Sequence, residues 1–517
     1  MKRPCRFFIA GGLGLFALLL TVTIASAQSE DIDKQIKALE NEVAKIEPLK
    51  DQIEKLREQQ IELKKEATAA AAELPTFQYR PGRGLTIAAA DKDWSFNTTY
   101  RINMYIYNTI NGKPNFSSPA GTQRQANTTS GEIFPRRNRV YFNYCRADCF
   151  YAFEYSIDGE TAPREASVRD NEFIVHFDQL NPYLPYFSIG LRRGAGRTHI
   201  GRSSDNDGKM EHSIIFDGFN WGGDGSHSGA GLGWEGVDVG PAEFDLFLNY
   251  AASRQGTHQE FVTDNRKGFM GFAGVRPFSN LKNKWISGLE VGIGTQFQSQ
   301  DRPENFNGDD NAPEIRVRSV ERRGRQDLFR PQPIVPGETQ NFGNGFSWII
   351  IPGLKYTVGP YMFRAVYVTT RYAGEDDTRG SIKTRGLWGR GWTIDNQAFL
   401  WSPKGFFTGS QTTPNSLMLS FGFERADMSC GKGCDASPGT GAFHNQTVLN
   451  RETALWWWIQ PSLGIGTWWH YWQTANTPRR SQIAVGCVDN NAEANSGKQQ
   501  SRSCKWHTVN AGLRYRW

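Results

Sequence analysis

The last twelve residues, Trp506-His-Thr-Val-Asn-Ala-Gly-Leu-Arg-Tyr-Arg-Trp517, alternate between two chemistries. His507, Val509, Ala511, Leu513, Tyr515 and Trp517 share one face of an extended chain. Trp506, Thr508, Asn510, Gly512, Arg514 and Arg516 share the other. Successive side chains of a strand point to opposite sides, so this segment is a ribbon with one mostly apolar face and one charged face. An alternating strand that ends on an aromatic is what barrels of an outer membrane present for assembly. The chain is expected to live in a bilayer and to close on itself.

The same alternation runs through most of the sequence. Trp94, Phe96, Thr98, Tyr100, Ile102, Met104 and Ile106 oppose Asn97, Arg101 and Asn103. Val140, Phe142 and Tyr144 oppose Arg137, Arg139 and Asn143. Tyr151, Phe153, Tyr155 and Ile157 oppose Glu154, Ser156 and Asp158. Similar strands are predicted near 170–177, 186–192, 229–238, 243–252, 268–277, 285–298, 345–357, 361–373, 391–402, 415–428, 446–459 and 462–473. With the C-terminal strand these make about sixteen, an even count as bacterial barrels require, and a further strand is expected near Ser213 to Trp221. Connections alternate in length. Gly240-Pro241-Ala242, Val358-Gly359-Pro360 and Gln460-Pro461-Ser462 read as short turns, whereas 108–135, 299–344, 374–390, 429–445 and 474–505 are long and polar. Short periplasmic turns and long outer loops are the polarity of such a barrel. The expected class is all-β, a transmembrane antiparallel β-barrel with an N-terminal α-helical segment.

The N-terminus supplies the export route. Lys2, Arg3 and Arg6 precede an apolar run from Phe7 to Ile24, and Ala25-Ser26-Ala27 is a small-residue cleavage site, so 1–27 reads as a secretory signal peptide. No later window is apolar for 18 residues, which excludes a second membrane helix. A barrel escapes that scan because only every second residue faces lipid. Residues 28–73 read as a periplasmic coiled-coil helix. Ile32, Ile36, Leu39, Val43 and Ile46 step by four and three, and after Pro48 the stripe resumes at Leu49, Ile53, Leu56 and Leu63. One narrow stripe needs copies of itself or another partner to cover it. Residues 74–93 are expected to be a linker, and 94–517 the barrel.

Seven cysteines occur. Cys5 lies in the leader. The others fall as Cys145/Cys149, Cys430/Cys434 and Cys487/Cys504, close pairs that an oxidising periplasm permits to form disulfides. A metal site is the alternative for Cys-x3-Cys. No His stands at ligand spacing beside Cys145/Cys149, and only His444 comes near Cys430/Cys434, so loop-stapling disulfides are expected.

Charge is distributed unevenly. Residues 28–73 carry eight basic and twelve acidic side chains, whereas 74–517 hold 36 Arg against 12 Lys. Arg is always ionised and presents a planar fork of donors suited to phosphate and carboxylate. Arg101, Arg137, Arg139, Arg192, Arg514 and Arg516 all fall on the face opposite the lipid-facing residues. A charge on the lipid face at mid-bilayer costs about 2–4 kcal/mol, so these are expected to point to the lumen or a rim. Basic rings in a lumen select anions. Glu154, Asp158, Glu172 and Glu290 share the inner face and offset part of that field. The segment Arg192-Arg193-Gly-Ala-Gly-Arg197-Thr-His199-Ile-Gly-Arg202 follows the fifth strand. Folded inward, it would place Arg193, Arg197 and Arg202 at a constriction; an outward surface loop is the alternative. Arg316, Arg318, Arg322, Arg323 and Arg325 form a second cluster in the longest loop, suited to recruiting anions or to binding lipopolysaccharide phosphates. Trp457 and Trp469 are expected outward as an interfacial girdle. Trp456, Trp458, Trp468 and Trp472 are expected inward, as packing or as a track for a solute.

The layout resembles the phosphate-selective porin O and P family of the outer membrane. The segments that carry the resemblance are Arg136-Arg137-Asn-Arg139-Val-Tyr-Phe, Phe153-Glu154-Tyr155-Ser-Ile-Asp158, Phe187-Ser-Ile-Gly190-Leu-Arg192, and Phe406-Phe-Thr-Gly409. The resemblance covers most of 94–517. It implies a homotrimeric, anion-preferring channel for phosphate or polyphosphate, with Arg137, Arg139 and Arg192 on the path and Arg197 and Arg202 in the constriction loop. This chain has Arg193-Gly-Ala-Gly where the family has a Pro-Phe-Gly type of segment, and few Lys where phosphate selectivity goes with a lysine cluster. Expected partners are membrane lipid, lipopolysaccharide, small anions and further copies of the chain. The alternatives are a general or organic-solute porin for carboxylates or sugars, and a structural outer-membrane protein. The eight His are scattered, with no Ser/His/Asp or metal pattern, so neither an enzyme nor a cofactor is expected. Basic groups that alternate with apolar ones give no nucleic-acid surface.

Overall fold

The computed structural model describes residues 36–38, 40–41, 50–62, 74–91, 93–111, 132–159, 167–193, 215, 226–254, 268–300, 315–317, 326–329, 345–374, 387–402, 414–430, 446–460, 462–477 and 502–517. The chain divides into two compact units, Met1–Leu74 and Pro75–Trp517. In the first, 36–38, 40–41 and 50–62 are helical, and Ile36, Ile53 and Leu56 of the apolar stripe are exposed. Among the described residues, no helix is long and apolar enough to cross a membrane.

The second unit is built of strands β1 (Thr76–Arg80), β2 (Gly84–Ala88), β3 (Trp94–Asn111), β4 (Glu132–Arg146), β5 (Tyr151–Asp158), β6 (Ser167–His176), β7 (Tyr186–Arg193), β8 (Ser226–Val239), β9 (Ala242–Arg254), β10 (Gly268–Arg276), β11 (Leu289–Gln300), β12 (Ile315–Val317), β13 (Gln326–Phe329), β14 (Gly345–Val358), β15 (Tyr361–Gly374), β16 (Leu387–Trp401), β17 (Ser416–Cys430), β18 (Gln446–Gln460), β19 (Leu463–Thr477) and β20 (Arg502–Arg516). From β3 to β11 and from β14 to β20, each strand pairs antiparallel with the next in this series, and β11 pairs with β14. The last strand, β20, returns to pair with β3. The result is a closed barrel of sixteen strands, and β12 and β13 form a separate two-stranded hairpin.

Its residue distribution is inverted relative to a water-soluble protein. Asn103, Ser156, Asp170, Asn249, Gln296, Asp395 and Glu424 are buried, while Ile106, Phe153, Phe173, Leu248, Phe269, Phe297, Phe421 and Trp457 are exposed. Water would not support a wall of that kind, because contiguous apolar surface of this extent demands another solvent. Lipid does support it, and closure satisfies the strand-edge groups that lipid cannot. The twist of the alternation therefore has a single physical reading, apolar out and polar in.

Sixteen strands close the barrel without Ser213–Trp221. Within that stretch only Ile215 lies among the described residues, and it is helical and buried, not extended. The stretch 74–93 also differs from the expected linker. Residues 76–88 form the hairpin β1–β2, turning at Arg80-Pro81-Gly82-Arg83, where the Arg83 amide donates to the Arg80 carbonyl at 2.9 Å and Gly82 has φ +78°. Pro followed by a residue with positive φ is the pattern of a type II turn. Strand β2 pairs with residues 95–98 of β3, below the point where β20 pairs with 101–111 of the same edge. The hairpin thus completes the wall at the seam. Asn97 anchors it, its amide donating to Thr86 Oγ1 at 2.9 Å and to the Arg83 and Leu85 carbonyls at 3.1 and 3.3 Å. At the same seam the Trp517 amide donates to the Tyr100 carbonyl at 2.8 Å, and the Tyr79 and Trp517 rings lie 5.8 Å apart.

The turn between β4 and β5 carries the Cys145–Cys149 disulfide. Ala147, Asp148 and Cys149 all have positive φ, a left-handed run that non-Gly residues rarely adopt. The side chains of Cys430 and Cys504, and the whole of Cys434 and Cys487, lie outside the described residues.

Candidate functional site

The barrel seam gathers arginines that are far apart in sequence. Across β20, β3 and β4, Arg516 stands opposite Arg101 and Arg101 opposite Arg139; one inward-facing row further along, Arg514 stands opposite Asn103 and Asn103 opposite Arg137. Five of the six arginines expected on the anion path thus occupy two adjacent rows on three neighbouring strands. Like charges directly opposite one another repel, so this arrangement needs compensation. Two kinds are present. Asp158 of β5, opposite Arg139, accepts from its Nε at 3.1 Å and its Nη2 at 2.5 Å, and both groups are almost fully buried. Aromatic rings supply the second. The Arg101 guanidinium carbon sits 4.8 Å from the centre of the Tyr141 ring, and that of Arg514 4.2 Å from the Trp456 ring. Arg139 Nη1 donates to the Tyr141 hydroxyl at 3.1 Å and Arg514 Nε to the Tyr105 hydroxyl at 3.2 Å.

Beside the arginines runs an acidic strip on β5 and β6, where Glu154 stands opposite Glu172 and Ser156 opposite Asp170. The Ser156 hydroxyl donates to Asp170 at 2.7 Å. A cavity of about 510 Å³ opens between hairpin and wall, lined by Arg80, Arg83 and Arg101 with Glu154, Asp170 and Tyr141 among others. Arg80 and Arg83 are exposed, Arg101, Arg516 and Glu154 are half-buried, and Arg139, Asp158, Asp170 and Glu172 are buried. On this wall the charges that meet water are therefore mostly guanidinium.

The wall from β11 to β19 is organised differently. Lys355 pairs with Glu290 at 3.3 Å and Arg364 with Asp395 at 2.6 Å; Asn450 donates to Glu424 at 3.2 Å and meets His470 at 3.3 Å. These groups tie neighbouring strands together and are buried. On β18 and β19, beside the seam, Trp456 stacks on Trp458 and Trp468 at 5.5 and 5.4 Å. Gly464 and Gly466 make room for those indoles, since a Cβ on either would lie 2.6 and 2.5 Å from the ring facing it. Trp456, Trp458, Trp468 and Trp472 are at most 6% exposed; the first three form an apolar core inside the barrel and Trp472 stacks on His470, so they offer no track for a solute. Trp457 and Trp469 are exposed on the outer wall.

The remaining sequence-predicted residues divide as follows. Arg101, Arg139, Arg514 and Arg516 come together at the seam. Arg137 joins them through its backbone register, its side chain lying outside the described residues, as do those of Arg192 and Arg193 at the end of β7. Gly190, in the same motif, has φ +140°, and a Cβ there would sit 2.1 Å from the Asn171 carbonyl oxygen, which explains a glycine at this point of β7. Arg197 and Arg202 lie outside the described residues. In the segment that follows β7, Ile215 is the described residue, and it is buried. Arg80, Arg83, Lys355 and Arg364 were not singled out by the sequence; alternation of Phe77 and Tyr79 with Gln78 and Arg80 was the available signal for the hairpin. Among the described residues no group of three or more His, Cys, Asp or Glu is placed to hold a metal.

No protein-family model matches the sequence, and no curated protein matches it. Among solved structures, the trimer form of OmpT, an outer membrane protein of Vibrio cholerae, is 10% identical over 82% of this chain and 99% of its own, with a TM-score of 0.49. An anion-selective porin from Comamonas acidovorans is 8% identical over 82% of this chain and 100% of its own, TM-score 0.46. The outer membrane channel DcaP of Acinetobacter baumannii is 8% identical over 82% and 97%, TM-score 0.46. At these scores the barrel is established by its own strand pairing.

Proposed function

We propose that this chain is an outer-membrane porin, a passive channel that prefers small anions. The observation that carries the reading is the seam. Arg80, Arg83, Arg101 and Arg516 meet water on one wall of the lumen against Glu154, while the buried carboxylate Asp158 is engaged by Arg139. A lumen lined by low-dielectric walls focuses such a charge excess on a passing ion. Arg137, and Arg192, Arg193, Arg197 and Arg202 after the fifth barrel strand, extend the path by alternation and position. Phosphate or polyphosphate is the solute to test first, because the guanidinium fork matches its oxygens.

The buried pairs Lys355–Glu290 and Arg364–Asp395 are internally neutral and keep the preference moderate. The exposed apolar stripe of the helix favours a homotrimer, with helices from three copies covering one another in the periplasm after removal of residues 1–27. Planar-bilayer recording of the purified protein tests the channel. A reversal potential of the anion-selective sign in a KCl gradient, reduced as phosphate is titrated in, is the expected result. Cation selectivity refutes the reading, and no conductance at all favours a structural protein.

A further inference from the structure

Four arginines stand on the outside of the barrel, where a lipid-facing wall ordinarily carries none. Arg371, Arg390, Arg425 and Arg451 lie on consecutive strands β15 to β18, and the inward neighbours of each, such as Thr370, Gly391, Glu424 and Asn450, are buried. Their outward direction follows from alternation. Their height is common too. Arg371 comes ten residues after Tyr361, where β15 begins, and Arg425 nine after Ser416, where β17 begins. Arg390 precedes the end of β16 at Trp401 by eleven residues, and Arg451 precedes the end of β18 at Gln460 by nine. All four distances are counted from the end of the barrel at which Gly359-Pro360 and Pro461-Ser462 turn the chain and at which 402–415 joins β16 to β17. At about 3.3 Å per residue and a tilt of about 40°, they place the belt about 25 Å above that rim. An apolar band is about 25 Å tall, so the belt sits where hydrocarbon gives way to outer headgroups. At comparable height on other strands, Met104, Tyr250 and Phe297 are exposed and uncharged.

The belt is held in place. The Arg371 guanidinium carbon lies 4.4 Å from the Trp388 ring centre, and that of Arg451 lies 5.5 Å from Phe423 and 5.7 Å from Tyr471. Asp427 accepts from Arg425 Nε at 3.0 Å and from the Thr447 hydroxyl at 2.7 Å, with Arg390 Nε at 3.6 Å. One carboxylate thus positions two guanidinium groups and leaves a net excess of positive charge. Arg390 keeps 68% of its side chain exposed. A guanidinium held over a ring engages its face and keeps N–H donors for a phosphate, which it can take bidentately.

We propose that the outer wall of β15–β18 binds the phosphates of an outer-leaflet lipid whose headgroup carries two or more of them. Strands stand about 4.8 Å apart, so the first and last arginines are about 15 Å apart across the wall, a span that one multiply phosphorylated headgroup can bridge. The site rests on the barrel's placement in an outer membrane and not on its solute. The test uses the full-length protein in nanodiscs of phosphatidylethanolamine, with a trace of a diphosphorylated glycolipid or the same lipid enzymatically dephosphorylated. Retention of lipid after extensive exchange is counted by native mass spectrometry. The wild type is expected to retain the phosphorylated form at least fivefold over the dephosphorylated one, and inorganic phosphate at millimolar concentration is expected not to displace it. Equal retention of the two forms overturns the proposal and needs no variant. R371Q/R390Q/R425Q/R451Q is expected to abolish the difference with single-channel conductance unchanged, and R371Q/R451Q to reduce it; a folded variant that keeps the full difference also overturns the assignment to this wall. Conductance in the same preparations reports separately on the channel.

Discussion

Arg101→Gln is the most direct probe of the seam. Arg101 lines the 510 Å³ cavity and stands between Arg516 and Arg139 in the cross-strand row. An ion passing about 6 Å from its charge in water-like surroundings feels about 0.7 kcal/mol. Screening at 0.1 M salt, with a Debye length of about 10 Å, reduces this to about 0.4 kcal/mol. Loss of the charge disfavours the anion and favours the cation by that amount each, so their ratio shifts by about 0.8 kcal/mol, about fourfold. At 0.01 M salt, with a Debye length of about 30 Å, the same change is about sevenfold. The assay is the reversal potential of single channels in a KCl gradient at both ionic strengths. The paired control is R139Q/D158N, which removes a buried ion pair and is expected to leave selectivity where it was. An Arg101→Gln channel with an unchanged permeability ratio at low salt, or one whose change does not grow as salt falls, would refute the idea that the seam lies on the ion path.

Three further outcomes follow from the packing. Asp158→Ala leaves the Arg139 guanidinium buried without its carboxylate and is expected to destabilise the barrel by about 3–5 kcal/mol, read as a lower temperature of the heat-induced gel-mobility shift. Asn97→Ala removes three hydrogen bonds to the hairpin; we expect a loss of about 1–3 kcal/mol and new protease cleavage within 76–88, with the remaining barrel intact. Gly466→Val drives a side chain into the Trp456 indole, and unfolding by denaturant should show about 1–3 kcal/mol of overpacking, whereas Ile465→Val on the exposed face should be near neutral.

Much of this architecture was legible because a strand's period of two carries both secondary structure and solvent. Alternation alone puts Arg139 and Phe142, or Arg514 and Leu513, on opposite faces, and Arg139 and Arg514 are buried inside while Tyr144 and Trp457 are exposed outside. Register was not legible. Nothing local in Arg101, Arg139 or Arg516 says that they stand opposite one another, since that depends on turn lengths and bulges such as the one between Asn103 and Met104. The hairpin 76–88 escaped because Pro81, Gly82 and Gly84 read as linker composition, although in a type II turn those residues are what the fold demands. The outward belt escaped for a related reason: Arg371, Arg390, Arg425 and Arg451 acquire meaning only when their heights are compared across four strands.

Register also explains why the arginines gather at the seam. The strands β3 and β20 lie at opposite ends of the barrel sequence, and their pairing alone brings Arg514 and Arg516 beside Arg101, Arg137 and Arg139. An open sheet holds two partial clusters; the closed barrel holds one. A one-residue slip at this pairing would turn Arg514 and Arg516 into lipid and Leu513 and Tyr515 into the lumen. The pairing of Trp517 with Tyr100 and the seating of the hairpin under Asn97 oppose such a slip. Closure and the proposed anion path are therefore one structural event, and a change that loosens the seam should alter selectivity before it lowers the overall stability of the barrel.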